Sequence, residues 1–134
     1  MESQAVRFAG YAGLFDIPDA DRDTIRRGAF ATTLTQRQLP LPLLWQHRPD
    51  QPIGVIESVA EDSRGLRVVA RIDQAESRAA HLLKAGKVSG LSFGYRAREA
   101  RTSKAGRELL GVDLFEVSLV THPLQYGARV HLVA

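Results

Sequence analysis

The longest apolar stretch in this chain, residues 112–120, is broken by Asp113 and Glu116 and is far too short to cross a bilayer. The other apolar runs are of strand length and end in turn residues, which directs the chain toward short strands joined by tight connections. A length of 134 residues fits one domain, 1–134, with a single core.

Read along the chain, residues 6–15 form an opening strand whose glycines mark bends, and residues 16–23 form an Asp-dense turn around Pro18. Thr24 caps a short element leading to Phe30, and residues 30–38 read as a short helix ended by Pro40 and Pro42. Leu41, Leu43, Leu44 and Trp45 make an apolar strand that delivers His47 to a loop rich in Pro and Asp. Two strand runs, 53–59 and 66–72, flank the polar turn 61–65 as a hairpin. Residues 76–85 are the strongest helix, with Ala79, Leu82 and Leu83 on one face and Gly86 at the C-terminal cap. A strand over 88–97, a polar loop over 98–107 with its tip at 103–106, and a strand over 109–121 ended by Pro123 follow. Val130, Leu132 and Val133 suffice for a short edge strand. The expected class is therefore α+β and β-rich: a single-domain, closed or partly closed β-barrel with two flanking helices.

Composition narrows the chemistry. Hydrophobic residues at 44% and charged residues at 25% argue against disorder, and with no cysteine there is no disulfide, thiolate nucleophile, Cys-ligated zinc or iron–sulfur cluster. The start, Met1 to Gln4, lacks the basic-then-apolar pattern of a secretory signal, so a cytoplasmic protein is expected. A net charge of +3 and an isoelectric point near 9.7 raise a nucleic-acid-binding barrel as one reading. With one Trp, three Tyr and five Phe for stacking, that reading ranks last, and no specific nucleic-acid partner is expected.

Of four histidines, His81 and His131 read as surface side chains and His122, before Pro123, as a turn residue. His47 ends an apolar strand at a charged connection, a place where a scaffold presents functional groups. No pair has helical zinc spacing and no carboxylates cluster with them, so neither metal nor cofactor is expected. Ser92 lies in Gly90-Leu91-Ser92-Phe93-Gly94, a strand with glycines two positions to either side. Either a barrel corner demands the glycines, or substrate backbone must approach an accessible hydroxyl; the residues alone leave both open. Glu116 sits inside an apolar strand, beside Leu114 and Ser118, where an acid must be wet or partnered.

Taken together, these segments resemble the tailed-bacteriophage prohead protease family, the procapsid maturation proteases related to herpesvirus assemblin. The carriers are Gly10-Tyr11-Ala12, Arg27-Gly28-Ala29-Phe30, Leu43-Leu44-Trp45-Gln46-His47, Leu83-Lys84-Ala85-Gly86, Gly90-Leu91-Ser92-Phe93-Gly94-Tyr95 and Glu116-Val117-Ser118-Leu119-Val120-Thr121, in that order. The resemblance implies an assemblin-like fold and a serine endopeptidase with Ser92 as nucleophile and His47 as general base. It implies Glu116 as third member, with Asp113 and His122 as fallbacks, and oxyanion donors from backbone amides or from Arg96, Arg98 or Arg129. It further implies a major capsid protein, or its delta or scaffold segment, as substrate, with self-cleavage also in view. Self-association as a homodimer or higher, and a place in the host cytoplasm within the assembling prohead, follow from the same resemblance. A phage, a prophage or a gene transfer agent would fit as source. The competing class is a catalytically silent capsid-assembly or scaffolding factor with the same fold. The run after Thr121 departs from the family's usual turn, and Ala134 ends a compact protease core, short of the C-terminal segment many members carry.

Overall fold

Leu66, Val68, Ala70 and Ile72 alternate along one strand and are all fully buried, the period-two signature of a sheet with one face on the core. The structure, a computed structural model, describes residues 4–36 and 40–134. In chain order the elements are β1 (Val6–Leu14), β2 (Asp23–Ile25), α1 (Ala31–Gln36), β3 (Leu41–Trp45), β4 (Arg48–Glu61), β5 (Gly65–Ile72), α2 (Arg78–Lys84), β6 (Gly90–Ser103), β7 (Gly106–Val120) and β8 (Val130–Val133).

The strands form one curled sheet in the order β2-β7-β3-β4-β5-β1-β8, with β6 also paired to β7. Its circuit is drawn together where Leu91 N–H donates to Ala128 O (2.9 Å) and Val130 N–H to Ser89 O (2.8 Å), which brings the start of β6 to the chain entering β8. The expected β-rich, barrel-like α+β fold is what the chain adopts. Phe8, Phe30, Leu43, Ile56, Leu91 and Leu119 fill its interior. There Phe30 meets Phe93 edge to face at 5.2 Å.

Strand β7 organises the molecule. One edge pairs with β6 along its length; the other is shared by β2 at residues 107–109 and by β3 at residues 117–119, both parallel. Helix α1 covers the gap between them. Val112 N–H donates to Ala29 O (3.0 Å), and Leu114 N–H donates to Thr33 Oγ1 (3.1 Å), which explains why Thr33 is the buried residue of this short helix.

Three expectations shift. Residues 98–107 are not a loop but the outer half of a β6–β7 ribbon, with Ser103 opposite Gly106 around the expected tip. Both faces of that half are wet, so no apolar alternation announces it. The loop expected after His47 is instead a two-residue turn, with Trp45 paired to Arg48. The prolines sit in an irregular stretch of β4, where the register jumps from Arg48 to Pro52, the position in a strand where proline is tolerated. The helix expected over 30–38 spans Ala31–Gln36, and residues 37 and 38 lie outside those described.

Helix α2 matches its expected face, with Ala79, Ala80 and Leu83 buried on the chain's own barrel. Ser77 caps it, its side chain accepting from Ala80 N–H at 3.2 Å, and Gly86 takes the positive φ (73°) that ends it. Ser77→Ala is expected to lower stability by about 1 kcal/mol, read as a reduced midpoint in thermal or urea unfolding. No helix among the described residues is long and apolar enough to cross a membrane.

Candidate active site

The two-residue turn between β3 and β4 carries His47. Gln46 and His47 both have positive φ (52° and 60°), as a tight hairpin of this hand requires, yet neither is glycine. Such backbone persists only where surrounding bonds hold it. Gln46 N–H donates to Leu119 O (3.0 Å). Its side chain grips Thr121 twice, donating to Oγ1 (3.3 Å) and accepting from N–H (3.2 Å). His47 N–H donates to Ser118 Oγ at 3.1 Å. The turn is thereby pinned to the end of β7.

From β7, Glu116 and Ser118 reach the same place. His47 Nδ1 lies 2.6 Å from Glu116 Oε1, and Ser118 Oγ donates to Glu116 Oε2 at 2.6 Å. Ser118 is fully buried; it bonds the turn's backbone with one lone pair and the carboxylate with its proton. Because a carboxylate only accepts, Nδ1 carries the hydrogen in neutral His47 and Nε2 keeps a free lone pair. That is the tautomer a general base needs.

Ser92 stands on β6 directly opposite Ser118, in a stretch where Gly90 to Gly94 pair without shift with Val120 to Glu116. Opposed residues share a face of the sheet, with Cβ atoms about 5 Å apart. Leu91 faces the core and Ser92 the other way, on the side of Ser118, Glu116 and His47. Ser92 is 9% exposed, and among the described residues its hydroxyl forms no hydrogen bond. The serine is thus on the histidine's face without being bonded to it.

Both glycines around Ser92 have a spatial cause. A Cβ on Gly94 would lie 2.3 Å from Glu116 Oε1 and 2.9 Å from its Cδ, so the carboxylate occupies the room glycine leaves. A Cβ on Gly90 would lie 2.6 Å from Pro123 Cδ. Tight packing, the first of the two readings of this strand, thus accounts for both glycines.

Of the alternatives to Glu116, Asp113 is held by Arg96 (2.9 Å) and Arg98 (3.3 Å), and His122 lies exposed in the turn after β7. Arg129 donates to Tyr126 O (2.7 Å) and Ser89 Oγ (3.0 Å). Leu114 does not share Glu116's face as regular alternation would have it. The register skips between Gly94/Glu116 and Tyr95/Leu114, and this bulge at Phe115 turns Leu114 into the core. Ser118 is the residue sequence reasoning missed. Its signal was its place two positions after Glu116, on the same side of the strand.

The hydrogen bond His47 makes to Glu116 raises its pKa above the ordinary 6.5; burial opposes this, and the carboxylate's charge adds to it. Raised in the folded state, the group contributes stability that is complete below pH 6.5 and is lost as pH rises through the folded value. Thermal midpoints measured from mild acid to mild base should therefore decline through that window in wild type, and the decline should be absent in His47→Asn. The side chain is 42% exposed, so the slope is small.

A family model described as caudovirus prohead serine protease matches residues 1–134. The prohead protease of Enterobacteria phage HK97 is 34% identical over 130 residues, covering 92% of this chain and 58% of that protein. The capsid polyprotein of Pseudomonas phage PAJU2 is 32% identical over 125 residues, covering 84% of this chain and 18% of that protein. In fold, the chain is similar to KSHV protease solved with a hexapeptide phosphonate inhibitor, with a TM-score of 0.66 at 15% identity, covering 98% of this chain and 65% of that one.

Proposed function

The chain belongs to the caudovirus prohead serine protease family, and from that premise we propose that it is a serine endopeptidase. Its substrate is a capsid protein's delta or scaffold segment, cut inside the assembling prohead, and it acts as a homodimer or higher assembly. The single observation that carries the reading is the 2.6 Å contact between His47 Nδ1 and Glu116, formed on the face of the sheet that Ser92 occupies.

In this mechanism Ser92 Oγ attacks the scissile carbonyl carbon while His47 Nε2 takes its proton. Glu116 stabilises the resulting imidazolium through Nδ1–H. The imidazolium then gives its proton to the leaving amine as the C–N bond breaks, and a water molecule, deprotonated in the same way, releases the acyl group from Ser92. Because the base must be neutral, the rate rises with pH through the elevated His47 pKa.

The test is mass spectrometry of the cognate major capsid protein co-expressed with wild type, Ser92→Ala and His47→Ala, each verified as folded. A discrete truncation made by wild type and by neither variant is the expected result, and the cut identifies the specificity. Persistence of the truncation with Ser92→Ala removes Ser92 as nucleophile. Absence of cleavage even within assembled particles favours the assembly-factor reading.

A further inference from the structure

On the outer face of β5, β1 and β8, a cavity of about 410 Å³ is lined by Tyr11, Arg64, Arg67, Gly127, Arg129 and His131. Arginines elsewhere are mostly spoken for: Arg7, Arg26, Arg71, Arg96, Arg98 and Arg107 each bond a carboxylate. Among the described residues, none of the three arginines of this cavity lies within ion-pair distance of one. Two of them are held in place by other means. The Arg64 guanidinium lies 5.0 Å over the Tyr11 ring. Arg129 lies 4.7 Å over the Tyr126 ring while bonding Tyr126 O and Ser89 Oγ. Planar cations stacked in this way keep donors free for an anion and lose little freedom when one arrives. The nearby carboxylate of Asp62 is occupied by Tyr11 Oη and by the N–H groups of Arg64 (2.8 Å) and Gly65 (3.1 Å). His131 completes the wall, its ring 5.8 Å from that of Tyr11.

Arg67 also borders a second hollow, of about 180 Å³, whose other walls include Phe8, Ala9, Val69 and Leu132. Leu132 is 58% exposed there, an apolar side chain left bare beside a cationic cleft. A phosphate backbone has no use for that second hollow. A peptide can fill both, placing carboxylates among the guanidiniums and an apolar side chain against Leu132.

We propose that this double hollow is a docking site for an acidic peptide segment carrying an interspersed apolar residue, separate from the hydrolytic site. Gly127 and Arg129 border the cleft, and residues 128–130 run beside the start of β6, so a segment anchored there lies within one strand of Ser92. The proposal does not depend on hydrolysis, and its test reads binding alone. Fluorescence anisotropy would be measured with a labelled peptide of about a dozen residues rich in glutamate and holding two leucines. Matched peptides with glutamine for glutamate or serine for leucine, and a short DNA duplex, complete the probes.

Wild type is expected to bind the glutamate–leucine peptide at least about tenfold more tightly than either matched peptide, with affinity falling as salt rises. Arg64→Ser with Arg67→Ser should remove the preference for glutamate, and Leu132→Ser the preference for leucine. Thermal unfolding checks each variant, and the peptide series on wild type decides the question even should a variant misfold. Equal binding of the glutamine peptide overturns the proposal. DNA binding that needs the same arginines, ignores Leu132→Ser and exceeds peptide binding replaces it with a nucleic-acid site.

Discussion

Under the proposed mechanism, Glu116→Gln should leave the fold intact and lower kcat for peptide hydrolysis by about four orders of magnitude. The size of the loss follows from Ser118. Its hydroxyl accepts from His47 N–H and so turns its proton toward the side chain at position 116. A glutamine placed there satisfies Ser118 with its oxygen and directs its NH2 at His47 Nδ1. The imidazole must then accept at Nδ1 and carry its hydrogen on Nε2, the nitrogen that should take the Ser92 proton. The same change removes the negative charge that raises the His47 pKa, so whatever rate remains should show its acidic limb shifted toward 6.5. Single-turnover kinetics across pH, with nitrogen NMR of the imidazole, would separate tautomer from charge. An active Glu116→Gln beside an inactive Asp113→Asn would move the third role to Asp113.

Gly94→Ala is the second large effect expected, of about a hundredfold in kcat/KM. The added methyl falls 2.3 Å from Glu116 Oε1, and the glutamate must rotate away, breaking its contacts to both His47 and Ser118. Stability should also fall, by about 1–3 kcal/mol, because the fully buried Ser118 hydroxyl loses its acceptor. The histidine's acidic limb should again fall. Gly111→Ala is the control on the same ribbon, since its Cβ would meet only Glu99, at 3.5 Å from its Cβ and 3.9 Å from its N, ordinary contacts. Full activity in Gly94→Ala would mean that the carboxylate is not needed where it lies.

Much of this molecule is legible residue by residue, and the illegible parts share physical causes. Strand β5 and helix α2 declare themselves because one face of each is buried and the other wet. The outer half of the β6–β7 ribbon has two wet faces and so carries no period to read. The bulge at Phe115 breaks the alternation that would place Leu114 with Glu116. His47 looked like a loop residue because Pro49, Asp50 and Pro52 follow it, whereas the turn is closed by bonds to Leu119, Ser118 and Thr121, far along the chain. The pairing of His47 with Glu116 depends on the same parallel alignment of β3 and β7, and no local pattern encodes it.

The position of β7 has a consequence for timing during synthesis. His47 and Ser92 emerge from the ribosome before it, and the strand that carries Glu116 and Ser118, and that β2, β3 and β6 all pair with, appears only after them. Until then β3 lacks its parallel neighbour, and the His47 turn lacks the partners that hold its unfavourable backbone. A nascent chain in that state has no assembled hydrolytic centre, so under the proposed activity it cannot attack the capsid proteins being made around it.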